Sequence, residues 1–235
     1  MTREAAGRGR RAGGIASSRG LRRGTVALVL ALAACAGISP SLRDPAAPDP
    51  PAPTVFTARF ETTRGTFEVE VHRDWAPRGA DRFHRLVSGG YYDGSTIFRV
   101  IPGYIAQFGI AGDPALAKAW RYAYIPDDPS LQKCRRGTVG FADKAPNTRA
   151  TQVFINLADN ARLDTGEFAP FGRVTSGMEV VDRLRGYGRE GPQGERTDQS
   201  AIFEGGSRYL REHFPALDDI RRATVAVESR VPKPL

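Results

Sequence analysis

This chain of 235 residues contains few side chains able to attack, ligate or shuttle protons, and those few are far apart. Its histidines, His72, His84 and His213, share no spacing that would converge on a metal ion or pair with a nucleophile. Its two cysteines, Cys35 and Cys134, are too few for a disulfide scaffold or a cysteine-held structural zinc. Any chemistry must therefore come from polar and aromatic side chains that the fold brings together.

The elements that would assemble them are mostly strands. Phe56, Ala58 and Phe60 alternate with polar residues over Val55–Thr62, and Phe67, Val69 and Val71 do so after the turn at Arg64-Gly65. Pro77 opens a helical stretch with Ala80, Phe83, Leu86 and Val87 at helical spacing, closed by Gly89-Gly90. Short strands are expected over Thr96–Ile101, Tyr104–Gly109, Gly137–Ala142, Val153–Leu157, Phe171–Val174 and Ile220–Glu228. A second short helix fits Met178–Leu184. Gly186–Gly206 reads as a mobile loop before a short helix at Ser207–Phe214. Many short strands, Gly-rich turns and two helices predict a closed or nearly closed antiparallel barrel.

The N-terminal part reads as an address. Seven arginines and one acid lie in residues 1–34, so six of the eight net positive charges sit there, and the nearly neutral body implies no nucleic-acid surface. Thr25–Ala34 is uncharged, and ten residues rise only about 15 Å as a helix, short of the ~30 Å core of a bilayer. That length fits the apolar core of a signal peptide. Leu32-Ala33-Ala34-Cys35 resembles the bacterial lipoprotein cleavage box, in which the cysteine is lipidated and becomes the mature N-terminus. Residues 36–53 contain six prolines, and such a segment is expected to be an extended tether. The organisation expected is a leader over 1–35, a tether over 36–53 and a folded domain over 54–235.

Three ordered motifs then carry a family resemblance. Phe98-Arg-Val-Ile-Pro-Gly-Tyr-Ile-Ala-Gln107, Ala145-Pro-Asn-Thr-Arg-Ala-Thr-Gln-Val-Phe-Ile-Asn156 and Phe168-Ala-Pro-Phe-Gly-Arg-Val174 resemble the cyclophilins, the peptidyl-prolyl cis/trans isomerases. The flanking Ala76-Pro77, Tyr92-Asp93-Gly94 and Leu163-Asp164 agree in order. The resemblance implies a mainly β fold, an eight-stranded antiparallel barrel capped by two helices, with no cofactor and no metal. It implies Arg99 and Gln107 as catalytic residues, and Tyr104, Ile105, Ala142, Asp143, Phe154 and Leu163 as substrate-binding residues. The expected partners are proline-containing polypeptides and, through Cys35, a membrane. The expected protein is a monomer lipid-anchored in the cell envelope, assisting the folding of exported proteins. A proline-peptide-binding module or holdase with little turnover is the alternative class.

Several positions depart from the pattern. Arg162 stands where many eukaryotic members have tryptophan, which bears on cyclosporin binding more than on catalysis. Phe168 falls at a histidine position, Phe108-Gly109-Ile110 replaces Gly-Gly-Asp, and Asp143 replaces the commoner asparagine. Residues 111–136, with Tyr122, Tyr124 and a buried Cys134, are expected to form an altered loop.

Overall fold

The strict alternation of the first sixteen strand residues becomes a hairpin. β1 (Val55–Thr62) turns Phe56, Ala58, Phe60 and Thr62 inward, and β2 (Gly65–His72) turns Phe67, Val69 and Val71 inward. Thr62 faces Gly65 across a two-residue turn, and Gly65 has φ +129°, a region that favours glycine. The rings meet in the core: Phe60 stacks on Phe67 at 5.0 Å and meets Phe108 edge-on at 5.5 Å.

The computed structural model describes residues 39–186 and 197–226; the leader, Cys35 and part of the expected loop at 186–206 lie outside them. Seven further strands complete one antiparallel sheet: β3 (Thr96–Ile97), β4 (Arg99–Ile101), β5 (Ile105–Phe108), β6 (Thr138–Phe141), β7 (Val153–Asn156), β8 (Gly172–Ser176) and β9 (Asp218–Ala226). Their order is β3-β9-β1-β2-β8-β6-β7-β5-β4. The sheet's two end segments are successive pieces of one stretch. β3 pairs with β9 and β4 with β5, and the buried Phe98 between them switches the chain from one partner to the other. The expected closed eight-stranded barrel is therefore seen as nine segments, whose hydrogen bonds do not close into a ring among the described residues.

Among the described residues four α-helices accompany the sheet, against the two capping helices and the short helix at Ser207–Phe214 that were expected. α1 (Pro77–Ser88) and α3 (Met178–Asp182) occupy the expected places. α2 (Pro114–Trp120) lies inside the stretch read as a loop, where Asp113 caps it by accepting from the Ala115 amide at 2.8 Å and Pro114 opens it. α4 (Gln199–His213) begins eight residues before the expected Ser207. Asp198 caps it at the Ser200 amide, Ile202 and Phe203 bury one side, and the chain kinks at Gly206 (φ 60°, ψ −153°). In both cases an aspartate cap stood in a Gly- and Pro-rich stretch whose composition hid it.

The segment expected to be a free tether docks onto the body from Ser39 onward. Proline content blocks a regular element there, but a polar clamp supplies what a core cannot. Arg82 and Arg85 of α1 are almost fully buried and both engage the Asp49 carboxylate, at 2.8 Å and 3.1 Å. Arg85 also donates to the carbonyls of Ser41, Asp44 and Ala47. Leu42, 3% exposed, packs beneath, and Trp120 of α2 donates its indole N–H to the Leu42 carbonyl at 3.1 Å. The Arg85 guanidinium lies 4.8 Å from the centre of the Trp120 ring.

Removing Asp49 would leave two buried guanidinium groups without their carboxylate, a loss on the order of 3 kcal/mol. Asp49→Ala should therefore lower the thermal midpoint by roughly 6–12 °C and open residues 39–53 to limited proteolysis. An unchanged midpoint with an intact strap would contradict this account of the clamp.

Candidate active site

Sheet register lines up the candidate residues. Arg99 of β4 sits opposite Gln107 of β5, Gln107 opposite Phe154 of β7, and Phe154 opposite Gly140 of β6. Directly opposed residues point to one side of a sheet, so Arg99, Gln107 and Phe154 share a face across three strands. Gln107 is only 5% exposed and Phe154 3%, while Arg99 is half-buried.

Hydrogen bonds then set the direction of each polar group. Arg99 donates from Nη1 to Gln107 Oε1 at 2.9 Å. Gln107 Nε2 donates to Gln152 Oε1 at 2.8 Å, and Gln152 Nε2 donates to Gln199 Oε1 at 3.1 Å. A guanidinium can only donate, so the first amide must present its oxygen to Arg99, and the next two amides follow in the same sense. Gln152 and Gln199 were not among the residues the sequence singled out. Gln152 lies within a quoted motif; nothing in the sequence marked Gln199, 47 positions away at the start of α4.

All eight candidates, Arg99, Tyr104, Ile105, Gln107, Ala142, Asp143, Phe154 and Leu163, line one groove of about 300 Å³. Phe154 meets Phe168 edge-on at 5.5 Å, and with Leu163, Tyr104 and Ile105 these rings form an apolar recess beside Arg99. Arg162 lays its guanidinium 3.8 Å from the centre of the Tyr104 ring. Gly109 holds the strand ends together behind the site: its φ is +112°, a Cβ there would collide with the Thr151 backbone, and Thr151 donates to its carbonyl at 2.7 Å. The Ala142 amide already donates to the Gln152 carbonyl at 2.9 Å, so any backbone bond Ala142 makes to a peptide must use its own carbonyl.

Asp143 is the electrostatic exception in the groove. Its Oδ2 is buried and makes no hydrogen bond among the described residues. Burial first, then the neighbouring Glu167 and Asp127, push its carboxyl up to about 6. The histidines stay outside the groove: His72 sits on Glu70 at 2.7 Å, and His84 meets Phe56 edge-on. Cys134 is buried, and burial together with Asp164 pushes its thiol up to about 11, so it is a packing residue rather than a nucleophile.

Comparison with known proteins gives one consistent result. The family model described as "Cyclophilin type peptidyl-prolyl cis-trans isomerase/CLD" matches residues 57–203. "Peptidyl-prolyl cis-trans isomerase-like 1" of Aspergillus fumigatus is 34% identical over 128 residues, covering 53% of this chain and 79% of its own length. The protein of the same description from Rhizopus delemar is 36% identical over 131 residues, 53% of this chain and 77% of its own. A crystal structure of a Cryptosporidium parvum cyclophilin-type isomerase aligns with a TM-score of 0.55 at 22% identity, over 74% of this chain and 98% of that one, a likeness of fold.

The Asp143 environment has a consequence for stability. The folded state holds this carboxyl's proton up to about 6, whereas an unfolded aspartate releases it near ~3.9. The contribution of this one carboxyl to stability is therefore greatest below the unfolded value and falls as pH rises from about 4 to 6, because in that window the unfolded chain releases this proton and the folded chain keeps it. Each pKa unit is worth about 1.4 kcal/mol, and partial exposure of the group reduces the whole effect to ~1 kcal/mol. Asp143→Asn should stabilise the protein by about 1 kcal/mol at pH 8 and by nothing at pH 4, read from denaturant midpoints. A pH-independent difference would contradict the assignment.

Proposed function

Because the chain belongs to the cyclophilin-type peptidyl-prolyl cis-trans isomerase family, we propose that it accelerates rotation about Xaa–Pro bonds bound in this groove. The barrier to that rotation is ~18–20 kcal/mol because twisting the amide breaks its resonance. No covalent bond changes, so the reaction asks for neither a nucleophile nor a metal. At the twisted transition state the proline nitrogen becomes pyramidal and regains a localised lone pair. A donor aimed at it binds the twisted form better than either planar isomer.

The observation that carries this reading is the Arg99–Gln107 bond at 2.9 Å beside an apolar recess. In the proposed mechanism the proline ring enters the recess formed by Phe154, Leu163 and Phe168. The Ala142 carbonyl and the Asp143 peptide hold the extended backbone. Arg99, its fork fixed by Gln107, donates to the proline nitrogen as it pyramidalises. One preorganised donor of this kind is worth about 2.7–4 kcal/mol, or 10²–10³ in rate. The test is the relaxation of an Ala-Pro-containing tetrapeptide from its cis-enriched state. The relaxation rate should rise linearly with protein concentration. A peptide that binds but relaxes at the uncatalysed rate would leave a proline-peptide-binding module instead.

We further propose that the protein is exported and lipid-anchored through Cys35, and assists folding on the outer side of a membrane. The cleavage box supports this, and Ala36, in place of a retention aspartate, favours an outer membrane where a cell has two. Two or more acyl chains on one cysteine suffice for stable anchoring. With the strap docked from Ser39, the chain from Cys35 to Ser39 extends at most about 14 Å, so the domain rides close to the lipid rather than on a long leash. Wild-type protein should fractionate with membranes, and Cys35→Ser should appear as soluble or unprocessed protein. A wholly soluble wild type whose mature N-terminus is not Cys35 would contradict the anchor.

A further inference from the structure

The amide chain behind Arg99 runs beyond the motifs that carry the other site residues. Arg99 donates to Gln107 at 2.9 Å, Gln107 to Gln152 at 2.8 Å and Gln152 to Gln199 at 3.1 Å. Each step sets a donor against an oxygen, so Gln199 Oε1 is the last acceptor of the chain among the described residues. Gln152 is half-buried, and a glutamine side chain has several torsions to fix. Held at one end alone, its amide is free to turn toward water and release Gln107. Held at both ends, it keeps one orientation, with its oxygen toward Gln107.

The segment that brings Gln199 is itself firmly seated. Thr197 donates from Oγ1 to the Phe98 carbonyl at 3.0 Å, directly before Arg99. Asp198 then caps α4 at the Ser200 amide, which places Gln199 in the first helical position. Further along, Ile202, Phe203 and Leu210 are buried. Ser207 donates from its amide to the Gly112 carbonyl at 3.1 Å and from its hydroxyl to the Gly94 carbonyl at 2.7 Å. On the groove side Arg121 stands beside the exposed rings of Tyr122 and Tyr124. Its guanidinium lies 4.6 Å from the centre of the Phe203 ring, and Nη2 reaches Ser200 Oγ at 3.4 Å. The backbone under Gln199 is thus fixed by contacts other than the amide chain, so its oxygen is in place before a peptide arrives.

We propose that Gln199 is a positioning residue for isomerisation: its oxygen locks Gln152, Gln152 locks Gln107, and Gln107 aims Arg99. In this way α4 sets the direction of the donor from outside the strands that carry it. The inference rests on the reading of Arg99 as the donor to the twisted amide. The proline ring is assigned to the recess of Phe154, Leu163 and Phe168, so loosening the chain should act on the bound-state rate rather than on affinity. One neutral hydrogen bond is worth about 3–10-fold in an equilibrium, which sets the size of the effect.

The experiment uses the full-length protein and a saturating Ala-Pro peptide, with bound-state cis/trans exchange and Kd both read by NMR. In Gln199→Leu, folded by circular dichroism, exchange should slow about 3–10-fold while Kd changes by no more than about two-fold. Gln199→Glu keeps an oxygen acceptor at that place and should recover most of the loss. In a Gln152→Leu background the chain is already cut, so adding Gln199→Leu should slow exchange no further. The side-chain amide signals of Gln107 should shift in Gln199→Leu and return in Gln199→Glu. Full-rate exchange in folded Gln199→Leu, no recovery in Gln199→Glu, or an equal loss in the Gln152→Leu background would overturn the assignment. So would a loss carried by Kd alone, which would make Gln199 a peptide-binding residue. Should Gln199→Leu not fold, Gln199→Ala is judged by the same measures. If the wild-type protein leaves the peptide at its uncatalysed rate, the isomerase reading fails. The Gln107 amide signals then still judge the chain, and unchanged signals in Gln199→Leu overturn it.

Discussion

An arginine on a strand is a flexible cation unless something dictates where its donors point. Here that constraint is the acceptance of Arg99 Nη1 by Gln107 Oε1, and much of the site can be read as its support. Gln107 is buried, so its amide cannot exchange protein partners for water without loss. Its nitrogen is committed to Gln152 and, through Gln152, to Gln199, so reversing any one amide would set donor against donor or acceptor against acceptor along the chain. The sheet register that opposes Arg99 to Gln107 and Gln107 to Phe154 sets both the polar direction and the apolar recess beside it. An oriented donor and an apolar recess in one groove are what stabilisation of a twisted amide requires.

The elements outside the motifs act on the same groove from its outer side. α4 brings Gln199 to the end of the amide chain and Phe203 to the back of Arg121. α2 leads into the Tyr122–Tyr124 pair and supplies Trp120, which receives the strap at Leu42. Arg82 and Arg85 hold that strap through Asp49, while Arg82 also reaches the carbonyls of Ala123 and Ala150 on the groove side. One buried pair of arginines thereby joins the N-terminal segment to the loop that carries the exposed rings.

What the sequence made legible follows from periodicity. The β1–β2 hairpin and α1 fall within a few residues of expectation because each repeats apolar positions with one clear period, and the short strands from β5 to β8 do so as brief runs set off by turns. Arg99, Ile105, Gln107 and Phe154 converge on one groove because they lie on paired strands, and Tyr104, Ala142, Asp143 and Leu163 reach it from the turns and loops beside those strands. Three features were not legible. The chain switch at Phe98 splits one expected strand between two partners, which depends on tertiary packing rather than on local pattern. The starts of α2 and α4 rest on single aspartate caps within Gly- and Pro-rich stretches. The strap's docking depends on arginines 33–44 residues away, which composition counts as solvated charge. Long-range polar contacts leave no periodic trace.

The central claim is that Arg99, oriented by Gln107, acts on the twisted amide rather than on peptide binding. Its most direct measurement is the on-enzyme cis/trans exchange rate of a saturating Ala-Pro peptide, taken by NMR line shape alongside the Kd of the same peptide. For Arg99→Ala, folded by circular dichroism, exchange in the bound state should fall by roughly 10²–10³ while Kd changes by no more than a few-fold. Exchange that continues at the wild-type rate in the bound Arg99→Ala complex would contradict the account.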